Sequence, residues 1–158
     1  EDSQDSFSSP NPKSNEKSIK RMSRKILSCL KDKDYSCFKQ FMGSKDELRK
    51  IFLIQHRKDK KLRKNKIKNL NTEYRHYKKI YRDDFLNTIK RLDSRKINWT
   101  KLEIKKIDFK VIKNYDQKKL FEVDLILTDK KHRIHIGFNT FKMNGKWIVN
   151  NIDVKRNK

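Results

Sequence analysis

Four histidines, two cysteines, a tyrosine stripe and a dense basic run are the residues of this chain whose chemistry could be put to use. The histidines, His56, His76, His132 and His135, invite a metal site, but their spacing argues against one. His56 and His76 fall in basic sequence that repels a cation, and the odd separation of His132 and His135 sends them to opposite faces of a strand. Neither a Cys-x-x-Cys nor a His-Glu-x-x-His spacing occurs, so neither metal nor cofactor is expected. A hairpin turning at Asp129-Lys130 would set Asp124 opposite His135. A carboxylate orienting an imidazole is half of an acid–base dyad, and it is also an ordinary cross-strand ion pair. Without a Ser or Cys nucleophile beside it we read it as the latter, and expect no catalytic residues and no enzyme. Cys29 and Cys37 lie eight residues apart. They would bridge in an oxidising compartment and stay buried thiols in a reducing one.

Tyr74, Tyr77 and Tyr81 interleave with Arg75, Lys78, Lys79 and Arg82, a pattern able to stack bases while cations hold phosphates. The same spacing runs on into Phe85, Ile89 and Leu92, which makes it the buried face of an amphipathic helix, the reading preferred here. The segment from His56 to Lys68 holds eight Lys/Arg and one acid. In helical geometry Arg57, Lys60, Lys61, Lys64 and Lys68 share one broad face, which could bind sulfated glycan, anionic lipid headgroups or a phosphate backbone. A merely solvated helix is the competing reading. With no zinc-finger spacing, recognition-helix turn or aromatic nucleoprotein strand, nucleic acid is the less favoured partner.

The elements that must position these groups are written in composition and period. The 158 residues carry a net charge of +23, and the Leu, Ile, Val and Phe content is enough for one small core. Lys, Ile and Asn abound while Ala is absent, as an A/T-rich genome would produce, so part of the charge is compositional. No apolar run approaches the roughly 18 residues of a helical membrane span. Residues 1–14 are Ser-rich, contain both prolines and read as a flexible polar tether of the kind left when a signal peptide is removed. Ser14 or Asn15 should cap a helix through Ile19, Met22, Ile26 and Leu30, and Ser44-Lys-Asp-Glu47 fits a capping box for a second. The period changes to two from Ile97. Lys105-Lys106 should bulge the first strand, and a turn at Asp129-Lys130 would pair Leu125 with Ile134, Val123 with Ile136 and Phe121 with Phe138. The Asn144-Gly145 hairpin makes a clean apolar face only if one extra residue is inserted near Asn139–Phe141, so a bulge is expected there.

Helices followed by a strand meander, with Phe121-Glu-Val-Asp-Leu-Ile-Leu and a closing Asn144-Gly-Lys-Trp-Ile-Val-Asn-Asn-Ile-Asp, resemble the nuclear transport factor 2-like and cystatin-like superfamily. The likeness rests on residues 97–154. It implies a cone in which a curved sheet wraps the helices, and kinship with exported, lipoprotein-type bacterial members. Enzymes of that superfamily place Asp, His or Tyr inside the cone; no such motif is found here, so no catalytic residue is carried over. The expected fold is α+β, with about three N-terminal helices on a curved, cone-like, four-stranded antiparallel meander. Residues 15–158 form its single domain, helical over 15–96 and sheet over 97–154. The expected function is a non-enzymatic, exported, envelope-tethered protein whose basic helical surface meets an anionic polymer, a membrane surface or a host protein. The alternatives are an intracellular nucleic-acid-binding module and a small-molecule binder or isomerase-type enzyme using the cone interior.

Overall fold

Proline suits the first turn of a helix, where its missing N–H would find no partner anyway. In the computed structural model, which describes residues 12–115 and 118–156, helix α1 accordingly spans Pro12–Lys31. It begins ahead of the Ser14–Asn15 cap; the rest of the expected tether, residues 1–11, lies outside the described residues. Ile19, Met22, Ile26 and Leu30 recur at helical spacing and are each at most 5 % exposed. The Asp34 carboxylate accepts the Cys37 N–H and starts a short helix α2, Tyr35–Phe38, followed by a 3-10 turn at Lys39–Phe41. Cys29 and Cys37 are joined by a disulfide that staples α2 to the end of α1. Helix α3, Lys45–Gln55, carries the capping box read from the sequence: the Glu47 N–H donates to Ser44 Oγ and the Ser44 N–H to Glu47 Oε1. Helices α4, Lys60–Lys68, and α5, Leu70–Ser94, are separated by Asn69 alone. Among the described residues five helices thus stand where about three were expected, because the side chains of Asp34 and Asp59 cap additional starts.

Strands β1 (Glu103–Tyr115), β2 (Lys118–Thr128), β3 (Arg133–Met143) and β4 (Lys146–Lys155) form an antiparallel meander in sequence order. The α+β layering matches expectation, but the curved cone does not. The sheet is open, neither closed nor curled, with β1 and β4 as its two edges. The reason lies in where the helices sit. Helix α5 packs along β4, whereas β1 is touched chiefly by α1, so the helical layer offers β1 little to wrap. Ile104, Ile107 and Phe109 on its inner face stay half-buried, and Val111 is 46 % exposed.

The core lies between that inner face and α1, α2 and α5. Val123, Leu125 and Leu127 of β2 and Ile134 and Ile136 of β3 are fully buried there, as is Phe85 of α5. Phe38 stacks on Tyr81 and Phe85 with ring centroids 4.9 and 4.8 Å apart. A smaller cluster forms on the outer face, where Ile51 and Ile54 of α3 meet Phe141, Met143 and Ile148 of the last hairpin.

The sequence predicts three register features of the sheet. The β1 bulge at Lys105 is present, with a second at Ile112. The β2–β3 register is two residues off the expected one: Leu125 pairs with Ile136, Val123 with Phe138 and Phe121 with Thr140. A slip of two keeps every side chain on its face, so hydrophobic pattern cannot detect it. What sets it is a four-residue loop gathered on Asp129, whose carboxylate accepts the N–H groups of His132 (2.6 Å), Asn98 (2.7 Å) and Lys131 (3.0 Å). The β3–β4 bulge exists but sits a little earlier than Asn139–Phe141. Ile136 pairs with Val154 and Gly137 with Asp153, then Asn139 with Asn150, so the extra residue is on β4. Asn151 takes it up at φ 60°, a left-handed conformation that asparagine tolerates better than branched residues do.

Candidate anion-binding surface

Helix α4 exists because of its caps rather than its packing. The Asp59 carboxylate accepts the Leu62 N–H at 3.0 Å, the Asn69 side chain donates to the Asn65 carbonyl, and Lys66 reaches Glu73 of α5 at 3.3 Å. None of its residues is buried, and Leu62 is 36 % exposed. Nine residues with no core contact would be marginal in isolation. Lys60, Lys64 and Lys68 recur every fourth residue, with Lys61 beside them, and all four are exposed on one side of the helix. Among the described residues none of these four lysines has a carboxylate within ion-pair distance.

Arg57, the fifth residue expected on this face, is not on the helix. It lies in the turn before Asp59, where its carbonyl accepts from the Arg63 guanidinium at 2.8 Å. Because Asp59 caps α4, the chain cannot be helical on both sides of it. Arg57 instead lines a groove of about 570 Å³ between that turn and the β1–β2 hairpin, together with His56, Lys58, Lys113 and Tyr115.

The tyrosine stripe is structural. The Tyr81 hydroxyl donates to the Phe38 carbonyl at 2.9 Å, and the Tyr77 hydroxyl donates to Asn150 Oδ1 while accepting the Gly43 N–H, both at 3.0 Å. Burial pushes the Tyr77 phenol up to about 12 and raises Tyr81 as well. Tyr74 is half-buried, its ring 6.1 Å from that of Tyr77 and the Lys78 ammonium 4.9 Å from its centroid.

The Asp124–His135 pairing is absent because of the two-residue register change: His135 lies opposite Ile126, and Asp124 opposite Gly137. Asp124 pairs with Lys155 of β4, whose Nζ stands 3.1 Å from Oδ1. The lysine passes directly over Gly137, in the space a Cβ would take. His132 is held in the loop by Asp129, Nδ1 to Oδ2 2.9 Å. Among the described residues no group of three or more His, Cys, Asp or Glu is placed to hold a metal ion.

The buried polar side chains are also committed. Ser23 bonds the Ile19 carbonyl, Thr88 that of Asp84 and Thr140 that of Ile148. Burial works against the Glu47 carboxylate, but the Ser44 N–H and the Lys146 ammonium outweigh it and hold the group below its ordinary range. Each of these buried polar groups is thus bonded within the fold.

One group of residues passed unnoticed in the sequence. Arg21 and Lys25 of α1 lie beside Phe41 and Trp147 along an open groove. Their only sequence signal was the four-residue spacing of two cations on the polar edge of α1. Comparison of the chain with protein-family models, curated proteins and solved structures yields no match.

Proposed function

We propose that this chain is an exported, envelope-tethered, non-enzymatic binding protein that offers the basic face of α4 to an anionic partner, whether a polymer, a lipid surface or a host protein. The observation that carries the reading is a helix with no fully buried residue that aligns four lysines without a carboxylate partner among the described residues. Unpaired ammonium groups on one ridge hold a cloud of counterions, and a polyanion that replaces those ions gains their release. Export is supported by the Cys29–Cys37 disulfide, since such bonds persist in oxidising compartments. The kinship with exported, lipoprotein-type proteins inferred from residues 97–154 belongs to the same proposal; the cone does not. The Cβ-less space over Gly137, the bonded polar groups and the aliphatic inner face give no support to chemistry inside the fold.

The test is binding to a heparin-type polymer across a salt series. Affinity should fall linearly in log salt, and replacing Lys60, Lys61, Lys64 and Lys68 together by Gln should make the slope shallower by about three. An unchanged slope removes α4 as the contact surface. Binding a DNA duplex more tightly than the sulfated polymer at equal salt would favour the intracellular alternative. Two free thiols in protein isolated without reductant would remove the export reading.

A further inference from the structure

The geometry points to a second, smaller site: the groove between α1, the 3-10 turn and the start of β4 takes a single acidic sugar unit, a uronate or sulfated hexose, of an anionic glycan. The groove measures about 430 Å³, within the range of small-ligand sites, and is open along one side. Its floor is Met22, 5 % exposed, Phe41, 9 % exposed, and the half-buried Trp147. Its rim is cationic, with Arg21 and Lys25 one helical turn apart and both exposed. Among the described residues no carboxylate lines it.

The cations divide into one that is used and two that are not. The Lys146 ammonium is committed to the Met42 carbonyl at 2.8 Å and Glu47 Oε1 at 3.1 Å. Arg21 and Lys25 have no hydrogen-bond or ion-pair partner among the described residues. The two tryptophans divide in the same way. The Trp99 indole N–H donates to Asp93 Oδ1 at 2.7 Å, whereas that of Trp147 has no protein acceptor among the described residues and is not sealed from solvent. Indole N–H groups that meet no acceptor within the protein remain available to a ligand.

A ligand that satisfies this groove needs an apolar face for the aromatic floor, a hydroxyl or ring oxygen for the Trp147 N–H, and an anionic group for Arg21 and Lys25. A pyranose carrying a carboxylate or sulfate has all three on one ring. Arg21 can meet that anion with two parallel N–H bonds, and Lys25 adds a second positive charge from the same side. The other basic surfaces lack one part. The α4 ridge has no aromatic floor, the groove beside Arg57 and Tyr115 carries the Asp59 carboxylate in its lining, and on the sheet Lys106, Lys110 and Lys130 are paired with Asp108, Glu122 and Glu103. A nucleotide would also offer a flat face and an anion. The choice of sugar over nucleotide rests on the exported reading of the chain; the existence of the site does not.

The chain has two tryptophans, so a nitrogen-15 spectrum of the full chain should hold two indole signals, and Trp99→Phe assigns them. The probes are a sulfated, uronate-containing tetrasaccharide and a single-stranded oligonucleotide of equal charge. With the tetrasaccharide the Trp147 signal should move saturably while Trp99 stays, and R21A/K25A should weaken binding about tenfold or more. K106Q/K110Q, at lysines already paired on the sheet, should leave the tetrasaccharide affinity within about twofold. An unmoved Trp147, an R21A/K25A variant that binds as before, or tighter binding of the oligonucleotide overturns the assignment. If Trp147 responds while polymer binding ignores α4, the α4 reading fails and the groove stands. If α4 governs polymer binding while Trp147 is silent, the groove fails alone.

Discussion

Helix α4 and strand β2 are nearly the same length, nine residues against eleven, yet they are held in place by opposite means. Four residues of β2 point into the core with at most 5 % exposure, and it is paired on both sides. Helix α4 has no fully buried residue and is held by two caps, the Lys66–Glu73 salt bridge and the Arg63 bond to the Arg57 carbonyl. The charge is therefore concentrated where stability is not. Solvated lysines can accumulate on α4 because no packing is at stake there, and the core tolerates none because an unpaired buried ammonium is expensive.

The largest effect that would sharpen this contrast is in the core. Phe85→Ala removes the ring stacked on Phe38, and should cost about 3–5 kcal/mol, read as the shift of the urea midpoint at constant slope. A cost below about 1 kcal/mol would mean that the aromatic cluster is not the keystone of the helical layer.

An intermediate effect belongs to Asp129. The Asn98 N–H first, then the bonds from His132 and Lys131, hold its carboxyl far below the usual range. A folded-state value below the unfolded one near 4 means stability that is complete at neutral pH and drains away as pH falls below about 4. Asp129→Asn should lower the melting temperature at pH 7 by roughly 5 °C, and the gap to wild type should narrow steadily between about pH 4 and pH 2. A gap independent of pH would assign the loop's order to something other than this carboxylate.

The smallest effect belongs to α4. Lys64→Gly should loosen the helix by about 1 kcal/mol. That change should appear as faster amide exchange within residues 60–68, with the global unfolding midpoint moved by less than about 0.5 kcal/mol. Slower global refolding or a large midpoint shift would show that α4 carries load after all.

Much of the helical layer is legible because its apolar residues keep a strict period: Ile19, Met22, Ile26 and Leu30 in α1, and Tyr81, Phe85, Ile89 and Leu92 in α5, mark the faces that the fold buries. The β4 bulge was legible too, since without it Ile136 would face Asp153. The two-residue slip between β2 and β3 was not, because alternation is blind to it and the deciding contacts run from one side chain to three N–H groups. Sheet curvature was equally hidden; it depends on which strand the helices lie against, and no local pattern records that. The ridge of α4 was readable as far as its lysines, but Arg57 was lost to a capping aspartate two residues on. Trp147, Phe41, Arg21 and Lys25 come from three distant stretches, and only packing brings them to one groove.

Lys155 crosses over Gly137 to neutralise a carboxylate oxygen of Asp124 that is shielded from solvent. Three positions on three adjacent strands therefore behave as one heritable unit. A methyl group at 137 would push the far end of Lys155 off this path, and an aliphatic residue at 155 would leave the Asp124 carboxylate without its ion pair. In diverging descendants of this sequence the three sites should tend to change together.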